Sequence, residues 1–178
     1  MKHVIHIFGA SGSGTSTLGQ ALAARTGFRR MDTDDYYWLP AEPMYTLKRS
    51  IPERLALMGR DLDDCGGAVL SGSLAGWGDP LIPRFTLAVR LDTPTPVRME
   101  RLRQREYARY GDRILPGGDM YEQSQAFLAW AAQYDDGVPP IRSRALHDLW
   151  QKNLSCPVLT LDGTLPVEEL AEAVIKNL

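Results

Sequence analysis

Gly9, Ala10, Ser11, Gly12, Ser13, Gly14, Thr15, Ser16 and Thr17 form a run with the chemistry of a phosphate cradle. Glycine at 9, glycine at 14 and a hydroxyl at 16 match the spacing G-x-x-x-x-G-K-[ST], in which successive backbone N–H groups surround an anion. Gly9, Gly12 and Gly14 permit the tight curl. Ser16 offers a hydroxyl to a Mg²⁺ shared with the β- and γ-phosphates of a nucleoside triphosphate. Thr15 stands where the spacing asks for lysine. It can donate a hydrogen bond but carries no charge. The cation that normally neutralises the β/γ oxygens therefore comes from elsewhere or is absent.

Two further groups of residues suit the same chemistry. Asp32, Asp34 and Asp35 place three carboxylates within four positions, which is costly without a cation or hydrogen-bond donors nearby. Such carboxylates can hold Mg²⁺, as Asp32 would beside Ser16, or accept the proton of an attacking hydroxyl, as Asp34 or Asp32 would. If the segment is extended, Asp32 and Asp34 point the same way. An Asp-rich helix N-cap is the plainer reading, and both hold if Asp35 caps while the other two face the site. The second group is arginine: Arg101, Arg105 and Arg109 recur at i, i+4 and i+8 and so share a helix face. Arg98, Arg103 and Arg113 surround them. The row suits clamping a triphosphate, with Arg105 and Arg109 in catalytic roles and Arg101 holding the nucleotide, although a solvated charged face explains any one of them. Arg142 and Arg144 are second candidates for the missing charge.

These residues need a frame. Short apolar runs at 4–8, 28–31, 68–71, 86–91 and 158–161 read as strands. Helical segments at about 15–25, 52–65, 95–110, 122–134, 142–153 and 166–177 alternate with them. Alternation of this kind predicts an α/β fold with a parallel sheet and helices on both faces. Ligands bind at the carboxyl ends of such strands, where the loop and the carboxylates fall. Ser73 and Trp77, after the third strand, can meet an acceptor or form an ordinary turn. Asp162, Gly163 and Thr164 follow the fifth strand, with Thr164 near a helix N-cap. His3, His6 and His147 show neither ligand nor triad spacing and read as structural.

Composition narrows the class. A chain of 178 residues fits one domain, and a net charge of −2 gives no sign of nucleic-acid or membrane binding. Cys65 and Cys156 have no metal-ligand spacing and make no disulfide framework. No run approaches the ~20 apolar residues of a membrane span, and no signal peptide precedes the first strand. A cytoplasmic protein is expected. Of the 20 basic residues, only Lys2, Lys48, Lys152 and Lys176 are lysine. Arginine favours bidentate phosphate contacts, although a GC-rich genome gives the same bias.

Taken together, the loop at 9–17, the acidic run at 32–35, the glycine-rich turn at 71–78 and the arginine-bearing helix resemble the nucleoside monophosphate kinase group of P-loop proteins, which includes adenylate, shikimate and gluconate kinases. The turn and helix at 161–170 are similar to the adenine-side junction of that group. The resemblance implies a three-layer P-loop NTPase fold with a five-stranded parallel sheet in order 2-3-1-4-5. It also implies one domain over 1–178, with an acceptor-binding insertion at about 36–54 and a lid at about 105–121. ATP and Mg²⁺ are the implied cofactors, and an unidentified small molecule or nucleotide the acceptor. Three features depart from the group's pattern: Thr15 in place of lysine, no aspartate at the end of the third strand, and no second arginine cluster or zinc cysteines in the lid. A nucleotide-binding regulator with little catalysis is the alternative that Thr15 supports.

Overall fold

The structure, a computed structural model, describes residues 2–178. Its centre is β1 (His3–Gly9), a seven-residue strand buried over nearly its whole length. β2 (Arg29–Asp32), β3 (Gly67–Ser71), β4 (Leu87–Asp92) and β5 (Val158–Asp162) complete a five-stranded sheet in order β2-β3-β1-β4-β5, every pairing parallel. This is the expected order. Parallel strands need crossovers, and α1 (Thr15–Thr26), α2 (Thr33–Tyr37), α3 (Ile51–Asp63), α4 (Thr95–Tyr110), α5 (Tyr121–Ala132), α6 (Arg144–Gln151) and α7 (Val167–Ile175) supply them.

The period of two along β1 sorts the core into layers. Ile5 and Ile7 face a cluster with Leu18 and Leu22 of α1 and Leu170, Ala171 and Val174 of α7. Val4 and Phe8 face the opposite cluster, with Met58 and Leu62 of α3, Leu81 and Ile82 of a 3₁₀ turn (Asp79–Arg84), and Trp150 of α6. Apolar layers on both faces explain why the central strands read as unbroken hydrophobic runs. A smaller cluster joins Met99 and Leu102 of α4 to Ala131 of α5 beside the glycine loop.

The elements differ from the sequence expectation in three places that matter to the site. β2 runs one residue further than expected and ends at Asp32, and the short helix α2 follows at once. Asp32 and Asp34 are therefore not on an extended segment. Asp32 is the N-cap of α2, its side chain accepting from Asp34 N, and Asp35 lies inside the helix. α6 starts at Arg144, because Ser143 caps it by accepting from Leu146 N at 3.1 Å, which leaves Arg142 on the preceding loop. Thr164 does not cap the last helix either. It donates backbone N–H and hydroxyl to Asp162 Oδ1, and Pro166 is the N-cap. Among the described residues no helix is long and apolar enough to cross a membrane.

Candidate functional site

All five strands deliver their carboxyl ends to one edge, and the glycine loop crosses it. Ser13 N–H donates to Ala10 O at 3.1 Å as the loop turns. α1 begins at Thr15 behind Gly14, with no side-chain cap. The N–H groups of its first turn and the positive end of its dipole therefore face the loop, the arrangement that binds phosphate. Gly12 has φ +81°, and a Cβ there would come within 2.7 Å of Arg98 O and 3.0 Å of Leu102 Cγ. Only glycine lets the loop lie directly on α4.

Beside the loop, Ser16 Oγ donates to Asp32 Oδ2 at 2.6 Å. Ser71 Oγ donates to the same oxygen at 3.0 Å, and Asp34 N–H holds Oδ1 at 3.1 Å. The register pairs Asp32 with Ser71 across β2 and β3. So β3 ends in a hydroxyl that braces a carboxylate carried by β2. The adjacent Ser16 and Asp32 oxygens are hard donors of the kind Mg²⁺ prefers. Residues 9–17, Asp32 and Asp34 thus lie together along the edge.

Asp34 is open to solvent yet crowded on most sides, the condition of a group at the floor of a cleft. Partial burial raises its pKa above the usual carboxylate range, and Asp32 raises it further. Arg142, a hydrogen bond from the Trp38 side chain and Arg105 pull it back. A carboxylate held near cations with a raised pKa suits accepting a proton.

The arginines divide by what they touch. Arg98 is fully buried and saturated: Nε donates to Thr93 O at 3.1 Å, Nη1 to Ser11 O and Ala131 O, and Nη2 to Thr95 Oγ1, with Asp135 3.7 Å away. It braces the loop. Arg101 Nη1 donates to Gly163 O at 3.0 Å and lies 3.5 Å from Gly12 O and Ser13 O. There it borders a hollow of about 240 Å³ lined by Ser13, Gly14, Thr17, Leu165 and Val167. Arg105 lies 5.7 Å from the Phe127 ring and within the field of Asp34. Arg109 stacks over Tyr45 at 4.8 Å and approaches Glu106 at 3.8 Å. Arg144 is committed to Asp92 and Asp135, at 2.9 and 3.0 Å, and is not available to a phosphate. Arg142 Nη2 donates to Gly9 O at 2.7 Å.

Two features escaped the sequence reading. Ser73 Oγ lies 2.9 Å from His147 Nε2, and Tyr134 Oη lies 2.8 Å from His147 Nδ1. Burial, then Arg142 and Arg90, push His147 down to about 3, so the ring is neutral and accepts from one neighbour while donating to the other. No spacing signals a chain whose members lie 74 and 13 positions apart. Trp77 is half-buried, with the Arg54 guanidinium 5.2 Å from its ring and the Tyr37 ring edge-on at 6.0 Å.

Comparison with known proteins fits this geometry. A family profile described as an AAA domain matches residues 5–126. An uncharacterised protein, YqaC, of Bacillus subtilis is 49% identical over 178 residues, all of this chain and 98% of that protein. A cytidylate kinase of Pyrococcus horikoshii is 30% identical over 119 residues, covering 59% of this chain and 58% of that one. Among solved structures, a shikimate kinase from Bacteroides thetaiotaomicron superposes with a TM-score of 0.59 at 16% identity, covering 98% and 97% of the two chains. A gluconokinase from Sinorhizobium meliloti gives 0.51 at 19% identity, with the same coverage. These structural likenesses show a shared fold. With its profile spanning well over half of the sequence, the chain belongs to the AAA domain family and has the P-loop fold of the nucleoside monophosphate kinase-like proteins.

Proposed function

We propose that the protein is a phosphotransferase that moves the γ-phosphoryl group of ATP to a hydroxyl or phosphate of a small molecule or nucleotide. The observation that carries this reading is the grouping of Ser16, Asp32 and Asp34 at one strand edge beside the glycine loop. The loop and the first turn of α1 would hold the phosphates, and Arg101 the nucleotide beside the hollow that suits a base. Ser16 and Asp32 would hold Mg²⁺, which neutralises charge on the phosphate oxygens. Asp34 accepts the acceptor's proton as its oxygen attacks phosphorus, and ADP leaves. Arg105 and Arg109 would swing from α4 toward the charge that develops, as the lid at about 105–121 closes over an acceptor bound by residues 36–54. The protein would work as one domain over 1–178, in the cytoplasm, where ATP and Mg²⁺ are abundant.

The relatives frame the acceptor panel. One is named a cytidylate kinase, and the structural neighbours are kinases of shikimate and gluconate. ADP release should be measured with ATP and Mg²⁺ against nucleoside monophosphates, nucleosides, sugars and polyhydroxy acids. Turnover with one class and not the others supports the reading, and background rates for every class refute it for those acceptors. Thr15 favours a second reading, a nucleotide-binding regulator with little catalysis. Under that reading Thr15→Lys alone switches on ATP turnover in a protein otherwise inert.

A further inference from the structure

Thr15 removes a charge from the loop, and one arginine lies where that charge is wanted. We propose that Arg142, from the loop ahead of α6, is the fixed cation of the phosphate site and contacts the β/γ end of a bound nucleoside triphosphate. This rests on the reading that residues 9–17 bind a triphosphate.

Position is the first argument. Arg142 donates from Nη2 to the carbonyl of Gly9, the first residue of the loop, and its charge faces Asp34. It therefore borders the phosphate cradle and lies within the field of the carboxylate read as the proton acceptor. Arg101 lies on the opposite side, against Gly163. Arg105 and Arg109 are exposed and rest on aromatic rings.

The second argument is satisfaction. A guanidinium has five N–H donors and resists deprotonation. Buried Arg98 spends its donors on three carbonyls and a hydroxyl, with Asp135 as counter-ion. Arg144 has two carboxylates. Arg142 is half-buried, with one carbonyl and the Trp130 ring 5.9 Å from its guanidinium, and its Nε is buried without any partner. A purely structural arginine would be satisfied as Arg98 is, because a buried cation with few partners destabilises the fold. Tolerating this one makes sense if an anion joins it. The fork geometry lets one N–H stay on Gly9 while others meet phosphate oxygens.

Rigidity is the third. Ser143, directly after it, is fully buried and caps α6. Ser11, Trp130, Ala131 and Tyr134 wall the recess around the side chain. The charge is thus fixed in the body of the protein and is in place before any lid moves, as electrostatic catalysis requires.

The test is equilibrium binding without acceptor, using a Mg²⁺ complex of ATP with a non-hydrolysable β–γ bridge, and AMP as control. Arg142→Gln should weaken triphosphate binding about 10- to 100-fold while AMP changes little, the loss expected for a hydrogen bond to a charged group. Adding Thr15→Lys to Arg142→Gln should restore most of that affinity. Thr15→Lys alone, which leaves the buried segment untouched, should gain less than tenfold, because the charge is already present. A tenfold or greater gain from Thr15→Lys alone overturns the proposal, as does an Arg142→Gln protein that folds and binds the triphosphate normally. Equal losses for AMP and triphosphate with no rescue would mark Arg142 as structural. Wild-type protein that binds no triphosphate would instead defeat the reading of the loop itself.

Discussion

The floor and the roof of the site are built from different interactions. On the floor, buried and half-buried groups address backbone: Arg98 to Thr93, Ser11 and Ala131, Arg142 to Gly9, and Thr93 Oγ1 to Ser13 O. In the roof, segments 36–50 and 105–121 meet through exposed side chains. Arg113 pairs with Asp119 at 2.8 Å and with Glu42 at 3.4 Å, and Arg109 lies over Tyr45. Exposed pairs contribute little and are screened by salt, whereas breaking one side of a buried polar network is strongly destabilising. The floor is therefore held more firmly than the roof.

The largest expected effect comes from the one floor residue that would meet the acceptor. Asp34→Asn should lower kcat by about 10²- to 10⁴-fold, the worth of a positioned general base. Triphosphate affinity should stay within a few-fold of wild type. A parallel collapse of binding would place Asp34 in the cradle and blur the division. Next is the packing beneath the loop. Leu102 is fully buried under Gly12, so Leu102→Ala should cost about 2–5 kcal/mol in denaturant unfolding.

The pH dependence of stability probes the buried frame behind the floor. Burial pushes His6, which stacks on Phe85 and Phe8, down to about 3, and His147 likewise. Both stay neutral in the folded protein, while the unfolded chain binds their protons near pH 6.5. Their contribution is complete above about pH 6.5 and is lost as pH falls toward 3, at about 1.4 kcal/mol per pH unit for each histidine. Stability from denaturant unfolding between pH 7 and 4 should show that slope, and His6→Phe should about halve it.

Charges from the arginine-bearing helix should have smaller effects. Arg105 favours ionised Asp34, so Arg105→Ala should raise the Asp34 pKa. The acid limb of kcat/KM would then move to higher pH by up to about one unit. Smallest is Arg113→Ala. It should leave the melting temperature unchanged and raise the acceptor KM a few-fold, an effect erased at high salt. A large loss of stability there would mean that the roof is as rigid as the floor.

What was legible in the sequence follows this division. The loop is a local motif between a buried strand and a helix, alternating elements predict the parallel sheet, and its strand order is what the family resemblance implies. Asp32, Asp34 and Ser16 could be named because strand ends gather at one edge. Their geometry was not legible, since the N-cap role of Asp32 depends on where β2 stops, and its brace, Ser71, arrives from another strand. The uneven satisfaction of Arg98, Arg142 and Arg144 is a tertiary fact, invisible to spacing. So is the contact of Arg109 with Tyr45, which joins two segments far apart in sequence.

That contact and the Arg113–Glu42 pair have a consequence for how ligands affect each other. Tyr45 and Glu42 belong to the segment read as gripping the acceptor, and Arg109 and Arg113 to the segment read as closing on the triphosphate. If each segment takes the role read for it, a ligand that settles one would bias the other through these shared contacts. Linkage makes such coupling symmetrical: by whatever factor the triphosphate tightens the acceptor, the acceptor tightens the triphosphate. The two ligands should then bind with positive cooperativity, and hydrolysis of ATP by water alone should be slow because half of the closing signal is absent.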